Sequence, residues 1–240
     1  MSFAISFGAA SSALSTAPPA LSGPMAELQR LVGLAASADL PILVRGETGV
    51  GKEVTAESIH RLSRRAAGPF VTLNCAALPE PLLESALFGH ERGAFTGAAQ
   101  SKEGVVEAAH GGTLFLDEIG ELSAPAQAKL LRVIEDRQVQ RVGGLKPKAI
   151  DVRFAAATNR DREEEIANGR FRAPLFYRLA ANEIRLPPLR ERRSDIGRLV
   201  VHFLMKDLVE LGRHAILQPA LTLESPWLTA ALVARLCRYD

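Results

Sequence analysis

Pro41-Ile42-Leu43-Val44-Arg45-Gly46-Glu47-Thr48-Gly49-Val50-Gly51-Lys52-Glu53 begins as an apolar run of strand length and breaks into a glycine-rich loop. A helical pattern follows, with Val54, Ala56, Ile59 and Leu62 predicted on one apolar face. Strand, GxxxxGK loop and helix in that order form the context of a phosphate-binding P-loop. The glycines let backbone N–H groups turn toward an anion, the helix N-terminus adds partial positive charge, and Lys52 adds a full one. Glu53 stands where the generic pattern carries a Ser or Thr for Mg2+.

Downstream, Gly112-Thr113-Leu114-Phe115-Leu116-Asp117-Glu118 reads as a second buried strand that delivers two carboxylates at its C-terminal end. In a parallel sheet that end lies beside the P-loop. Asp117 is then placed to hold Mg2+, directly or through water, and Glu118 to polarise an attacking water.

Between the two strands lies Gly93-Ala94-Phe95-Thr96-Gly97-Ala98, just after Gly89-His90-Glu91-Arg92. Two glycines and two alanines around a Phe-Thr pair supply little area for a core. Phe95 reads either as a contact tip or as the ring of an ordinary Gly-rich turn folded back under its loop.

Taken together, residues 46–53, 93–98 and 111–119 resemble the AAA+ domain of bacterial sigma-54-dependent transcriptional activators, the enhancer-binding proteins. Residues 93–98 are the family's GAFTGA signature, and GKE at Gly51-Lys52-Glu53 is common in it. The resemblance runs from about Met25 to the last residue. It implies an α/β P-loop NTPase (AAA+) fold, a parallel sheet sandwiched by helices, followed by a partial all-helical lid. It also implies ATP and Mg2+ as cofactors, with ATP on residues 46–53 and Asp117. Residues 93–98 would engage sigma-54 in the RNA polymerase holoenzyme, and the subunits would form a ring, a hexamer.

Further residues take their roles from the same resemblance. Asn74, at the end of Phe70-Val71-Thr72-Leu73-Asn74, matches the asparagine that holds the catalytic glutamate. A strand-end Asn capping a turn fits that position equally. Thr158 and Asn159, after Val152-Arg153-Phe154-Ala155-Ala156-Ala157, match sensor I, and an N-cap for a helix over residues 161–168 is compatible with it. Arg172 and Arg178, in Phe171-Arg172-Ala173-Pro174-Leu175-Phe176-Tyr177-Arg178-Leu179, match the arginine fingers that act in trans. The family has an acid where Pro174 stands, so the local helix is expected to start later or kink there.

Composition adds bounds. A chain of 240 residues, 47% hydrophobic, can bury a substantial core. A net charge of +2 carries no strong nucleic-acid or membrane signature. Cys75 and Cys237 form no disulfide or metal pattern, which suits a reducing cytoplasm, and the five histidines lack ligand spacing. No apolar run reaches membrane-helix length. Residues 1–23 are uncharged and Ala/Ser/Pro-rich, a disordered leader without the basic start of a signal peptide.

The expected organisation is an ATPase core over residues 24–190 and a truncated lid over 191–240. An amphipathic helix is predicted from Met25 to Ala35, and further helices over 79–87 and 125–136, the last with Ala128, Leu131 and Ile134 on its buried face. Strands are expected over 138–142 and 149–157, and lid helices over 195–211 and 226–237. Ending at Asp240 predicts a truncation before the sensor II segment and before any DNA-binding domain, so DNA contact is expected only through a domain outside this sequence. Three functions follow. They are an ATP-driven remodeller of the sigma-54 closed complex, a nucleotide-binding fragment with little turnover, and a sequence-specific DNA-binding regulator. No helix-turn-helix pattern supports the third.

Overall fold

A computed structural model of the chain describes residues 24–95 and 97–210, together with Arg235 and Arg238. The expected leader, Thr96 and the helix expected over 226–237 lie outside the described residues, those two arginines excepted. In chain order the elements are α1 (Pro24–Ser37), β1 (Ile42–Arg45), α2 (Lys52–Leu62), β2 (Phe70–Asn74), α3 (Glu80–Phe88), α4 (Val105–Ala108), β3 (Thr113–Asp117), α5 (Ala124–Asp136), β4 (Gln138–Val139), β5 (Lys148–Ala149), β6 (Arg153–Thr158), α6 (Arg162–Ala167), α7 (Ala173–Leu179), β7 (Asn182–Arg185) and α8 (Ile196–Glu210). Among the described residues two compact units result, one covering Ala26–Leu186 and the other including residues 187–210. The second unit contains two short 3-10 turns, Leu189–Glu191 and Arg193–Asp195, followed by α8, a helix where one was expected over 195–211. No helix among the described residues is long and apolar enough to cross a membrane.

The strand order in the main sheet is β2-β3-β6-β1-β7, and every pairing is parallel. Burial follows that order. Every residue of β6 is buried, as are the first four of β3 and the first three of β1, whereas the edge strands β2 and β7 are mostly half-exposed. Central parallel strands are covered on both faces, which is why Leu114-Phe115-Leu116 and Phe154-Ala155-Ala156-Ala157 are unbroken apolar runs rather than alternating ones. The register aligns the strand ends. Asn74 sits level with Asp117, and Arg45 level with Thr158. The polar groups that follow each apolar run are therefore delivered to one edge of the sheet.

Four expectations are corrected. Leu62 is 66% exposed, because the buried stripe of α2 runs through Lys52, Thr55, Ala56, Ile59 and His60 and leaves the helix before Leu62. On α5 the buried positions are Ala126, Gln127, Leu130, Val133 and Ile134, so Ala128 and Leu131 lie beside that face, half-buried. The strand expected over 149–157 is two strands. Lys148 and Ala149 pair antiparallel with Val139 and Gln138, and residues 150–152, among them Asp151 whose carboxylate meets Arg65 at 2.7 Å, lie outside any strand before β6 enters the main sheet. Pro174 causes no kink in α7. It lies in the first helical turn, where a missing N–H costs nothing, and Arg172 is the N-cap.

Candidate functional site

The loop after β1 is tied to the end of β6 by the Gly46 N–H, which donates to the Thr158 carbonyl at 3.3 Å. It closes at Gly51, the N-cap of α2, whose φ of 99° lies in the region open to glycine but strained for other residues. Lys52, the first residue of α2, is only 7% exposed. Its Nζ donates to the carbonyls of Gly46 at 3.1 Å and Glu47 at 3.3 Å, so the ammonium lies across the loop mouth. The N-terminus of α2 adds its unpaired N–H groups on the same side. Glu47, Thr48, Gly49 and Glu53 are exposed, and Gly46 and Val50 half-buried.

Asp117 ends β3, and Glu118 follows it in a left-handed conformation with φ of 49°. That geometry costs a non-glycine residue about 1–2 kcal/mol. The Glu118 N–H donates to Asp117 Oδ1 at 3.0 Å, and the Glu118 carboxylate lies 3.6 Å from Lys52 Nζ. The two motifs therefore meet, through side chains only 6% and 17% exposed. Asn159 closes the third side. Its Nδ2 donates to Thr48 Oγ1 at 3.2 Å, which links the end of β6 to the glycine loop. Thr158 is turned inward, and its hydroxyl accepts from the Arg160 N–H at 3.1 Å.

Asn74 stands level with Asp117, but its side chain is not on Glu118. Its Oδ1 accepts from the Ala76 N–H at 2.8 Å, the turn-capping arrangement, while Glu118 is paired with Lys52. The helix after β6 is capped by Asp161, which accepts from the N–H groups of Glu163 at 2.9 Å and Glu164 at 3.3 Å, so neither Thr158 nor Asn159 is its N-cap. Arg172 and Arg178 are exposed at the two ends of α7. Arg178 borders a cavity of about 210 Å3 lined also by Leu40, Pro41, Arg153 and Ala181, residues at the starts of β1, β6 and β7. Arg178 is thus at the opposite edge of the sheet from Lys52 and Glu118, a strand length of about 16 Å away.

Sequence reading missed the groups that hold these parts. Gln127 is fully buried in α5. Its Nε2 donates to the carbonyls of Leu122 at 2.8 Å and Arg170 at 2.9 Å, and its Oε1 accepts from the Arg172 N–H at 2.8 Å. Arg160 bridges Glu121 and Glu165, and Glu165 also accepts from Arg170 at 2.9 Å. These bonds hold the Glu165 carboxyl below the usual carboxylate range, with the Arg170 bond the largest cause. A buried Gln on an amphipathic helix and acids in a surface-like run carry no periodic signal, so only the fold reveals them.

The loop of residues 93–98 closes on itself. The Gly93 N–H donates to the Ala98 carbonyl at 2.8 Å, and the Ala98 N–H to the Phe95 carbonyl at 3.0 Å. Gly97 has φ of 107° with open space around it, so backbone shape rather than crowding demands glycine there. Phe95 is 40% exposed. The loop base is held to the connection between β4 and β5, where the Glu91 N–H donates to the Val142 carbonyl at 3.0 Å. Beneath it the Glu107 side chain, 1% exposed, accepts from Arg141 at 2.7 Å and Lys148 at 2.8 Å. The Arg141 bond above all holds the Glu107 carboxyl below its ordinary range.

Comparison with known proteins agrees with this geometry. The Nif-specific regulatory protein of Herbaspirillum seropedicae is 56% identical over 193 residues, which cover 80% of this chain and 36% of that protein. The DNA-binding transcriptional regulator NtrC of Escherichia coli (strain K12) is 50% identical over 191 residues, 80% of this chain and 41% of that one. A crystal structure of NtrX from Brucella abortus in complex with ATP superposes with a TM-score of 0.73 at 39% identity, covering 80% of this chain and 42% of that one. The chain therefore spans about two-fifths or less of the length of these relatives. The Sigma-54 interaction domain family matches residues 20–185. With that match, and with a five-stranded parallel sheet presenting a P-loop and an Asp-Glu pair at one edge, the chain belongs to the Sigma-54 interaction domain family and has the α/β P-loop fold of AAA+ ATPases.

Proposed function

We propose that this chain is the ATP-hydrolysing segment of a sigma-54-dependent transcriptional activator, acting in the cytoplasm on the sigma-54 RNA polymerase closed complex. The observation that carries the proposal is the meeting of Lys52, Glu118 and the Thr48–Asn159 pair at the mouth of one glycine loop. Lys52 and the N–H groups of residues 46–53 would bind the nucleotide phosphates. Glu118 would take a proton from the attacking water once phosphate displaces it from Lys52. Thr158 and Asn159 would sense the γ-phosphate, and Asn74 would restrain Glu118 in the alternate nucleotide state.

Asp117 fits Mg2+. It offers a half-buried carboxylate with one oxygen engaged by the Glu118 N–H, and Mg2+ takes one or two protein oxygens with phosphates and water completing its shell. The ion would neutralise charge on the phosphates. Arg172 and Arg178 would act on the site of a neighbouring copy, since Arg178 borders the far edge of its own sheet. That division suits a ring of subunits, which the family resemblance would make a hexamer. Residues 93–98 would contact sigma-54 through Phe95 and Thr96, with DNA bound by other parts of the full-length protein.

Phe95→Ala is expected to abolish sigma-54 capture in the presence of a transition-state nucleotide analogue while ATPase activity stays within about twofold, because Phe95 has no bond to the Lys52–Glu118 site. Undiminished capture would overturn the loop assignment. A second reading, nucleotide binding with little turnover, is favoured by Glu118 resting on Lys52. ATPase activity per subunit that rises with protein concentration supports the first reading, and a flat near-zero rate with measurable binding supports the second.

A further inference from the structure

The Phe95 ring is not free. Its centroid lies 5.0 Å from that of His90, with the planes at 64°, an edge-to-face arrangement. His90 is itself held through both its backbone and its side chain. Its N–H donates to the Lys102 carbonyl at 3.0 Å, and its carbonyl accepts from the Lys102 N–H at 2.9 Å. The residues on either side of it bond to Val142. The Glu91 N–H donates to the Val142 carbonyl at 3.0 Å, and the Val142 N–H to the Gly89 carbonyl at 2.9 Å. The imidazole, 9% exposed, meets the buried Ser85 hydroxyl of α3 through Nδ1 at 2.7 Å. An aromatic tip on a loop closed by two backbone bonds thus rests against a ring fixed from three directions.

We infer that His90 is the positioning residue for Phe95. It gives the tip a docked position against the body of the domain, which the ring leaves only when that edge contact breaks. Ser85 fixes the imidazole and the Lys102 and Val142 pairings fix its backbone, so the docked position is set by α3, by the segment at Lys102 and by the connection between β4 and β5. The inference rests on reading Phe95 as the contact tip, but its test does not need sigma-54.

Chymotrypsin cleavage after Phe95, followed by mass spectrometry, reads how often the ring leaves His90. His90→Asn keeps a polar atom at the Nδ1 position for Ser85 but has no ring, and cleavage is expected to rise about two- to tenfold, the population change that an aromatic pair of ordinary strength produces. His90→Phe keeps a ring edge but loses the Ser85 bond, and Ser85→Ala frees the imidazole without removing it, so both should fall between wild type and His90→Asn. Cleavage at the fully buried Phe88 and Phe115 reports unfolding in the same digest. Should His90→Asn be cut there, Ser85→Ala carries the test alone. Wild-type cleavage at Phe95 in the variant that stays folded, or equal cleavage of His90→Phe and His90→Asn, would overturn the inference. Sigma-54 capture by Phe95→Ala judges the partner separately, so loss of one reading is distinguishable from loss of the other.

Discussion

Gln127→Leu removes a clamp and leaves the shape of α5 nearly intact. The amide makes three bonds, to the Leu122 carbonyl, the Arg170 carbonyl and the Arg172 N–H. The first is buried and the other two are partly buried, so water can reach the latter and recover some of the loss. A buried group stripped of its partner costs about 1–3 kcal/mol, and a partly solvated bond about 0.5–1.5 kcal/mol net. Burial of a leucine side chain offsets part of that total, leaving about 2–3 kcal/mol. Urea unfolding followed by circular dichroism should then show a midpoint about 1 M lower. Gln127→Glu keeps the acceptor for Arg172 but sets a carboxylate oxygen against two carbonyls, so near neutral pH it should be less stable than the leucine variant. Because the clamp fixes the backbone on both sides of Phe171, ATPase activity per folded subunit should fall about as far as in Arg172→Ala. A leucine variant with an unmoved midpoint, or one that loses stability but keeps full turnover, would refute this account of the clamp.

Three further outcomes are expected. Lys52→Ala should weaken nucleotide binding about tenfold or more, by loss of charge-assisted bonds, whereas Glu118→Gln should bind at least as tightly as wild type yet hydrolyse about a hundredfold more slowly. Fluorescent-nucleotide titration and phosphate release check both, and retained hydrolysis in Glu118→Gln would remove Glu118 from its role. Glu107 has a folded-state pKa below its ordinary 4.5, chiefly through the Arg141 bond, so its contribution is present above about pH 4.5 and is lost as pH falls through the lower folded value. Thermal unfolding from pH 6 to pH 3 should therefore show a steeper loss of stability in wild type than in Glu107→Gln, and parallel curves would argue against it.

The nucleotide edge was legible in the sequence because each part is local. An apolar run ends, and the next residues are the chemistry, as at Arg45-Gly46 and Leu116-Asp117-Glu118. Parallel pairing then aligns those ends without further information. Residues whose partners are distant in the chain were not legible. Gln127 serves backbone groups up to 45 positions away, and Glu107 is paired with Arg141, 34 positions on. Periodicity placed the buried face of α5 one step off because it counted apolar residues and passed over the buried glutamine. The break between β5 and β6 escaped for a similar reason. Ile150 through Val152 read as strand, but the Ile150 N–H bonds to the Arg137 carbonyl and Asp151 is drawn aside to Arg65. Nor did the sequence show what Phe95 rests on, since the ring is partly exposed and lies against His90.

The two edges of the main sheet give the chain a direction. One end carries Lys52, Asp117 and Glu118, and the other carries Arg178. On the proposed reading each end is half of a reaction centre, and neither half is self-complementary. A face-to-face dimer would bring two like halves together and complete no site. Head-to-tail contact completes one site per junction and leaves an unmatched half at each end of the stack, until the stack bends round and closes on itself. For subunits joined head to tail, closure is what makes every subunit both donor and acceptor. A polar sheet with its chemistry divided between its ends is in this sense already a segment of a circle.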